Sequence, residues 1–165
     1  MKTILYAQPY DIEAIGFYFE NAEDYAAKAV ADLNGSGSLV EEYEIQFIDG
    51  EAIDATLVKT AGLHQGDILT FFEKIEKWDE TDKEIIVIAI GECGYDFNWQ
   101  NSEPGEFEID IYEMQSLRDL AEHFVDEGLF GEIPEHLQCY IDLDAIARDM
   151  RMDYSEIEVA ATRLT

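Results

Sequence analysis

An α+β fold is the reading the sequence supports, on three observations. Short aromatic or alternating runs lie near the N-terminus, apolar residues at helical spacing dominate the middle, and a capped helix follows another alternating run towards the C-terminus. At 165 residues, 47% hydrophobic and 12% aromatic, the chain has the material for a real core.

Thr3–Ala7 is short and β-prone, and Pro9, Tyr10 and Asp11 mark a loop. Gly16–Phe19 is an apolar-aromatic run suited to a strand, and Asn21 is placed to cap a helix over Ala22–Leu33 that stops at Asn34-Gly35-Ser36-Gly37. Tyr43–Ile48 alternates and ends at Asp49-Gly50, a strand followed by a turn. These elements form a small α+β unit ending near residue 60. From Gln65 to Trp78, Ile68, Phe71, Phe72, Ile75 and Trp78 fall at helical spacing. Glu84–Glu92 is ambiguous, because periodicity does not separate a short apolar run in a strand from a buried helix. Asn98–Gly105 is a loop and a boundary. Phe107–Tyr112 predicts a strand with Phe107, Ile109 and Ile111 inward. Ser116 begins a helix in which Asp119 replaces the glutamate of a capping box, Gly128 ends it, and Leu117, Leu120, Ala121, Phe124 and Val125 form its buried stripe. Pro134 opens a short helix towards Tyr140, Asp142 caps another over Leu143–Met150, and Ile157–Leu164 reads as a last strand.

Charge is the strongest functional signal. The 38 acids and 10 bases give a net charge of −28. It is spread along the chain: 12 acids and 2 bases in residues 1–55, 7 and 4 in 56–90, 19 and 4 in 91–165. Phosphate backbones and anionic membrane surfaces repel such a surface, so a partner should be basic. Duplex DNA carries about 0.6 negative charges per Å of axis. A compact chain of this length, about 40 Å across, carries about 0.7 per Å, the electrostatic content of about 14 base pairs. One helix face is too sparse to copy a strand, since acids at 119, 122 and 126 lie about 5 Å apart along the axis against about 3.4 Å per phosphate. Imitation therefore needs acids from several elements on a folded scaffold. A halophile-type acidic surface is the alternative that composition leaves open. Like-charge crowding is also expected to raise carboxylate pKa values and to favour mildly acidic pH.

Chemical motifs are few. No GxGxxG, Walker A, HExxH or GxSxG pattern occurs, and His64, His123 and His136 are scattered, so no cofactor, metal or catalytic residue is implied. Asp142-Leu143-Asp144 begins like a calcium loop, but Ala147 replaces the turn glycine. Carboxylate pairs such as Glu41-Glu42 are what chance produces among 38 acids. With no apolar run long enough for a membrane span and no convincing signal peptide, a cytoplasmic protein with Cys93 and Cys139 as reduced thiols is expected. Leu129, Phe130, Ile133, Leu137, Tyr140 and Ile141 are either core or an exposed dimer patch.

The segment from Phe124-Val125-Asp126-Glu127-Gly128 through Leu129-Phe130-Gly131-Glu132-Ile133-Pro134-Glu135, and then Tyr140 to Asp149, resembles the ArdA antirestriction proteins. Tyr10-Asp11, Gly16–Phe19 and Glu42–Asp49 are similar to that family's opening. The likeness covers nearly the whole chain. It implies a mobile-element product that imitates bent B-form DNA, blocks type I restriction–modification enzymes without catalysis, and has three small domains in an elongated row. Those domains would be 1–60 (antiparallel sheet plus helix), 61–103 (mainly helical, which turns Glu84–Cys93 towards helix) and 104–165 (sheet plus helices). The partner it implies is the methyltransferase core with its specificity subunit, besides a second copy of the chain. The antirestriction motif and dimer contact would comprise Leu129, Phe130, Gly131, Glu132, Ile133, Pro134, Leu137, Tyr140, Ile141 and Asp142. The phosphate-like surface is assigned to Glu20, Glu23, Asp24, Glu41, Glu42, Glu44, Glu106, Glu108, Asp110, Asp119, Glu122, Asp126 and Glu127. An acidic adaptor for another basic DNA-binding protein, and an acid-pair hydrolase, are the readings from other classes.

Overall fold

The computed structural model describes residues 1–158, which divide into two compact units, Met1–Ile109 and Asp110–Glu158. The fold class is α+β, as the sequence predicts.

In the first unit, β1 (Ile4–Pro9) lies between β2 (Phe17–Phe19) and β3 (Tyr43–Asp49) in an antiparallel sheet. Tyr6 pairs with Tyr18 on one side and Gln46 on the other. Strand alternation then turns Leu5, Ala7, Phe19, Tyr43 and Ile45 to the core. Gly16 is required at the entry to β2: a Cβ there would meet the Ala7 carbonyl oxygen at 2.3 Å and the Tyr6 hydroxyl at 2.5 Å.

Helix α1 (Ala22–Ala29) starts where Asn21 predicts, the Asn21 side chain accepting from the Asp24 N–H. It ends before Leu33, however. The Ala31 and Asp32 N–H groups turn to the Lys28 and Ala29 carbonyls, and Leu33 pairs with Leu39. Asn34 drives this early stop, its amide oxygen accepting from Ser36 and Ser38 while its NH₂ donates to Asp11. Helix α2 (Ala52–Ala61) is absent from the sequence reading. Thr56, Val58 and Thr60 mask it by β propensity, but Ile53 and Leu57 are buried one turn apart and Gly62 closes it at φ 72°.

A 3₁₀ turn (Gln65–Asp67) leads into α3 (Ile68–Lys77), which buries Ile68, Phe71 and Phe72 as its spacing predicts. Helix α4 (Glu80–Gly91) resolves the ambiguous apolar run. Asp79 and Asp82 form a reciprocal capping box. Ile86, Val87, Ile88 and Ala89 are all buried, and a helix covered on most sides shows no helical stripe in its sequence. One buried cluster joins Leu5, Val40, Ile53, Phe71, Ile86 and Trp99, spanning the sheet and α2–α4.

Phe107–Tyr112 is not a strand. The alternation is real, with Phe107, Ile109 and Ile111 half-buried and Glu108, Asp110 and Tyr112 exposed. Alternation dictates which way side chains point, but a ladder also needs a partner. Here the Ile109 N–H bonds locally to the Phe107 carbonyl.

The second unit packs α5 (Leu117–Asp126) against α6 (Leu143–Met150), burying Leu117, Leu120, Ala121, Phe124, Ala147 and Met150. Val125, expected in the stripe, is half-buried. Ser116 caps α5, but the full capping box does not form: Asp119 accepts the Ser116 hydroxyl instead of reaching back to its N–H. A Schellman ending follows, with Gly128 at φ 76° and the Leu129 N–H bonded to the Phe124 carbonyl. Glu135–Tyr140 forms a 3₁₀ turn after Pro134, and Asp142 caps α6 through the Ala145 N–H. The expected C-terminal sheet is missing among the described residues of this unit. Ile157 and Glu158 are in no strand, and the rest of the expected strand, 159–164, lies outside the described residues.

Candidate carboxylate interface

Solvation decides where the acids stand. An unpaired buried carboxylate is too costly to keep ionised, so a chain with this many acids must carry them outside. Every acid is among the described residues, and only Asp54 is buried.

Several of the predicted acids are fixed by their local folds. Glu23 and Asp24 occupy the first turn of α1, where the helix dipole favours anions. Asp24 accepts from the Glu20 N–H at 3.3 Å and from Lys28 Nζ at 3.1 Å, and Glu20 pairs with Lys2. Glu41 and Glu42 are exposed just before β3. Their backbone is clamped by Gln65, whose amide accepts from the Tyr43 N–H at 2.6 Å and donates to the Glu41 carbonyl at 2.8 Å. Glu42 in turn accepts from the Tyr10 N–H. No pattern in the sequence singles out Gln65. Glu44 is exposed on β3 opposite Gln8, and Glu106 and Glu108 are exposed near the end of this unit.

In the second unit, Asp110, Glu122, Asp126 and Glu127 are exposed, whereas Asp119 is half-buried and held by its cap. Asp126 and Glu127 sit at the C-terminal end of α5, where the dipole opposes them, each costing about 0.3–1 kcal/mol at low ionic strength. Asp126→Asn/Glu127→Gln should therefore raise stability in urea unfolding by about 0.5–1.5 kcal/mol. A loss of stability would show that the two acids make favourable contacts instead.

Most of the apolar residues of Leu129–Asp142 lie outside the core. Leu129, Phe130, Leu137 and Tyr140 are exposed, Tyr140 at 81%, while Ile133 and Ile141 are half-buried. Gly131 takes φ 94°, Pro134 leads the 3₁₀ turn, and Glu132, Ile133 and Pro134 line a shallow depression with Glu135 and Gln138. Cys93 and Cys139 are free and exposed.

The few cations are used structurally. Lys74, buried, donates to the Ser102 carbonyl, lies 3.3 Å from Glu103 and stands 5.0 Å over the Trp78 ring. Trp78 and Lys77 also donate to Glu103. The Trp78 hydrogen bond, followed by the lysines, holds the Glu103 carboxyl below the usual glutamate range. Asp11 is lowered by Asn34 and by the Glu13 N–H. Asp54 is raised by burial first, with Lys83 opposing. At these three carboxylates, hydrogen bonds and burial set the shifts; like charge enters as a lesser cause, from Glu51 on Asp54. Because Glu103 is lowered on folding, its contribution is present above the unfolded value and lost as pH falls through the folded one. The melting-temperature gap between wild type and Glu103→Gln should accordingly narrow as pH drops from about 6 to about 3.5. A constant gap would remove Glu103 from the acid response.

Surface carboxylates held by caps, strand ends and backbone clamps over an apolar core define the class: an acidic α+β protein whose charge is an ordered property of its surface. Among the described residues, no helix is long and apolar enough to cross a membrane. A family model described as antirestriction protein (ArdA) matches residues 10–162. The chain belongs to the ArdA antirestriction family, and antirestriction is the function that membership carries. No curated protein matches the chain significantly.

Proposed function

We propose that the protein inhibits type I restriction–modification enzymes by lodging its carboxylate surface in the groove of the methyltransferase core and specificity subunit that otherwise holds DNA. The observation that carries this reading is that every acid except Asp54 is at least partly exposed, with Asp24 and Asp119 held by helix caps and Glu41 and Glu42 beside a backbone clamp. A DNA groove is lined by Lys and Arg that normally contact phosphate, and anions already fixed in place lose little entropy on docking there. The inhibitor acts by occupancy, without bond making or breaking.

A homodimer through Leu129–Asp142 belongs to the same proposal. It is supported by the exposure of Leu129, Phe130, Leu137 and Tyr140 beside a small core, and it would double the charge to the equivalent of about 28 base pairs. The test is competition: labelled duplex bound to a type I methyltransferase should be displaced stoichiometrically as the protein is added. Undisturbed DNA binding at a large molar excess would refute the proposal. Capture of nucleases or nucleoid proteins in place of restriction subunits would favour the acidic-adaptor reading.

A further inference from the structure

We propose that the outer face of the N-terminal sheet is a discrete receptor for an arginine side chain of the basic partner, resting on the reading above but naming a site within it. Phosphate imitation needs only charge, yet this face also presents apolar surface. Alternation turns Ile4, Tyr6, Tyr18 and Ile48 away from the core, with Tyr18 58% and Ile48 48% exposed. The Tyr6 and Tyr18 rings are 4.8 Å apart, centroid to centroid, which stiffens the platform. Ile4, Tyr18 and Ile48 floor an open groove of about 860 Å³, and Glu20, Glu23, Asp24 and Asp49 rim it.

Rim and floor together select the occupant. An apolar floor with a charged rim is the anatomy of an interface centre. A guanidinium stacks on an aromatic face while its edge meets carboxylates, whereas a strongly hydrated ammonium gains less from such a floor. The groove already seats one cation: Lys28 Nζ donates to the Tyr18 carbonyl at 2.8 Å and to Asp24. Lys2 engages Glu20 and Lys28 engages Asp24, while Glu23 and Asp49 are in no ion pair among the described residues. A second copy of the chain would bring −28 to an acidic rim, so charge complementarity favours a basic partner.

Two arms test this. In DNA competition against a type I methyltransferase, Tyr18→Thr/Ile48→Thr keeps every charge and leaves strand-favouring residues in place but removes the floor, and should weaken inhibition about 10-fold. Ile12→Thr and Leu69→Gln, which remove exposed apolar residues outside the groove, should compete like wild type. In the second arm, without enzyme, a tetra-arginine peptide should shift the NMR signals of Tyr18 and Ile48 saturably and more tightly than tetra-lysine. If wild type competes but the double variant stays within about twofold of it, the receptor is refuted while inhibition by occupancy stands. Peptide shifts spread evenly over the acids would also refute it. A changed oligomeric state of the double variant without enzyme would assign the face to a second copy. Should wild type fail to compete at all, the functional reading falls, and the peptide arm alone judges the groove.

Discussion

Lys83→Met is expected to lower stability by about 3–5 kcal/mol, because it leaves a buried carboxylate without its counter-charge. Lys83 Nζ lies 2.7 Å from Asp54 Oδ1, and both side chains are buried where α2 and α4 pack together. Glu51, at 3.9 Å, is largely solvated and contributes little. Burial already pushes the Asp54 carboxyl up. Without the ammonium it should rise further and take a proton, which sets a pH signature. A raised acid gives stability that is present at low pH and lost as pH rises through the folded value, so the Lys83→Met deficit should widen from about pH 5 to about pH 8. Lys83→Met/Asp54→Leu should recover most of the loss, since a packed apolar pair replaces a buried ion pair at little cost. Urea unfolding of the cycle measures all three terms. A single-variant loss below about 1 kcal/mol would mean that water reaches the pair.

Binding to a type I methyltransferase core should weaken by about three orders of magnitude between 50 and 200 mM salt. That is the range for a protein–DNA contact in which about six or more phosphates are neutralised. The measurement must be direct titration of enzyme with protein, because in competition the affinity of DNA falls too. Carboxylates about 5 Å apart along a helix, against about 3.4 Å per phosphate, condense fewer counterions, so the slope should be shallower than that of DNA for the same enzyme. Neutralising Glu41, Glu42 and Glu44 together should reduce it again. A salt-independent affinity would replace electrostatic occupancy with an apolar contact.

Much of this architecture was legible because local chemistry determined it. Asn21, Ser116 and Asp142 cap the helices they precede, and the runs Thr3–Ala7 and Tyr43–Ile48 fall largely in β1 and β3, although β1 continues to Pro9, expected in a loop, which pairs with Tyr43. What escaped depended on distant partners. Phe107–Tyr112 alternates without a pairing strand among the described residues, and α2 is held by burial of Ile53 and Leu57 against the rest of the unit, over β-branched residues that argue otherwise. Ile85–Ile90 carries no helical stripe because α4 is covered on most sides. Placing the acids outside required only their number. The features that steady them did not follow from that number: the Gln65 clamp joins residues 22 to 24 positions apart, and the Glu103 cluster joins residues about as distant.

The clamp has a consequence for tolerance of surroundings. Gln65 grips the main chain beside Glu41 and Glu42 with an uncharged amide, whereas Asp24 is steadied by an ammonium. Added electrolyte slackens the second kind of tether and leaves the first untouched. As ionic strength changes, the Glu41–Glu42 shoulder should thus keep its shape while the Asp24–Lys28 tether loosens, giving the protein one anionic edge whose geometry does not depend on ionic conditions.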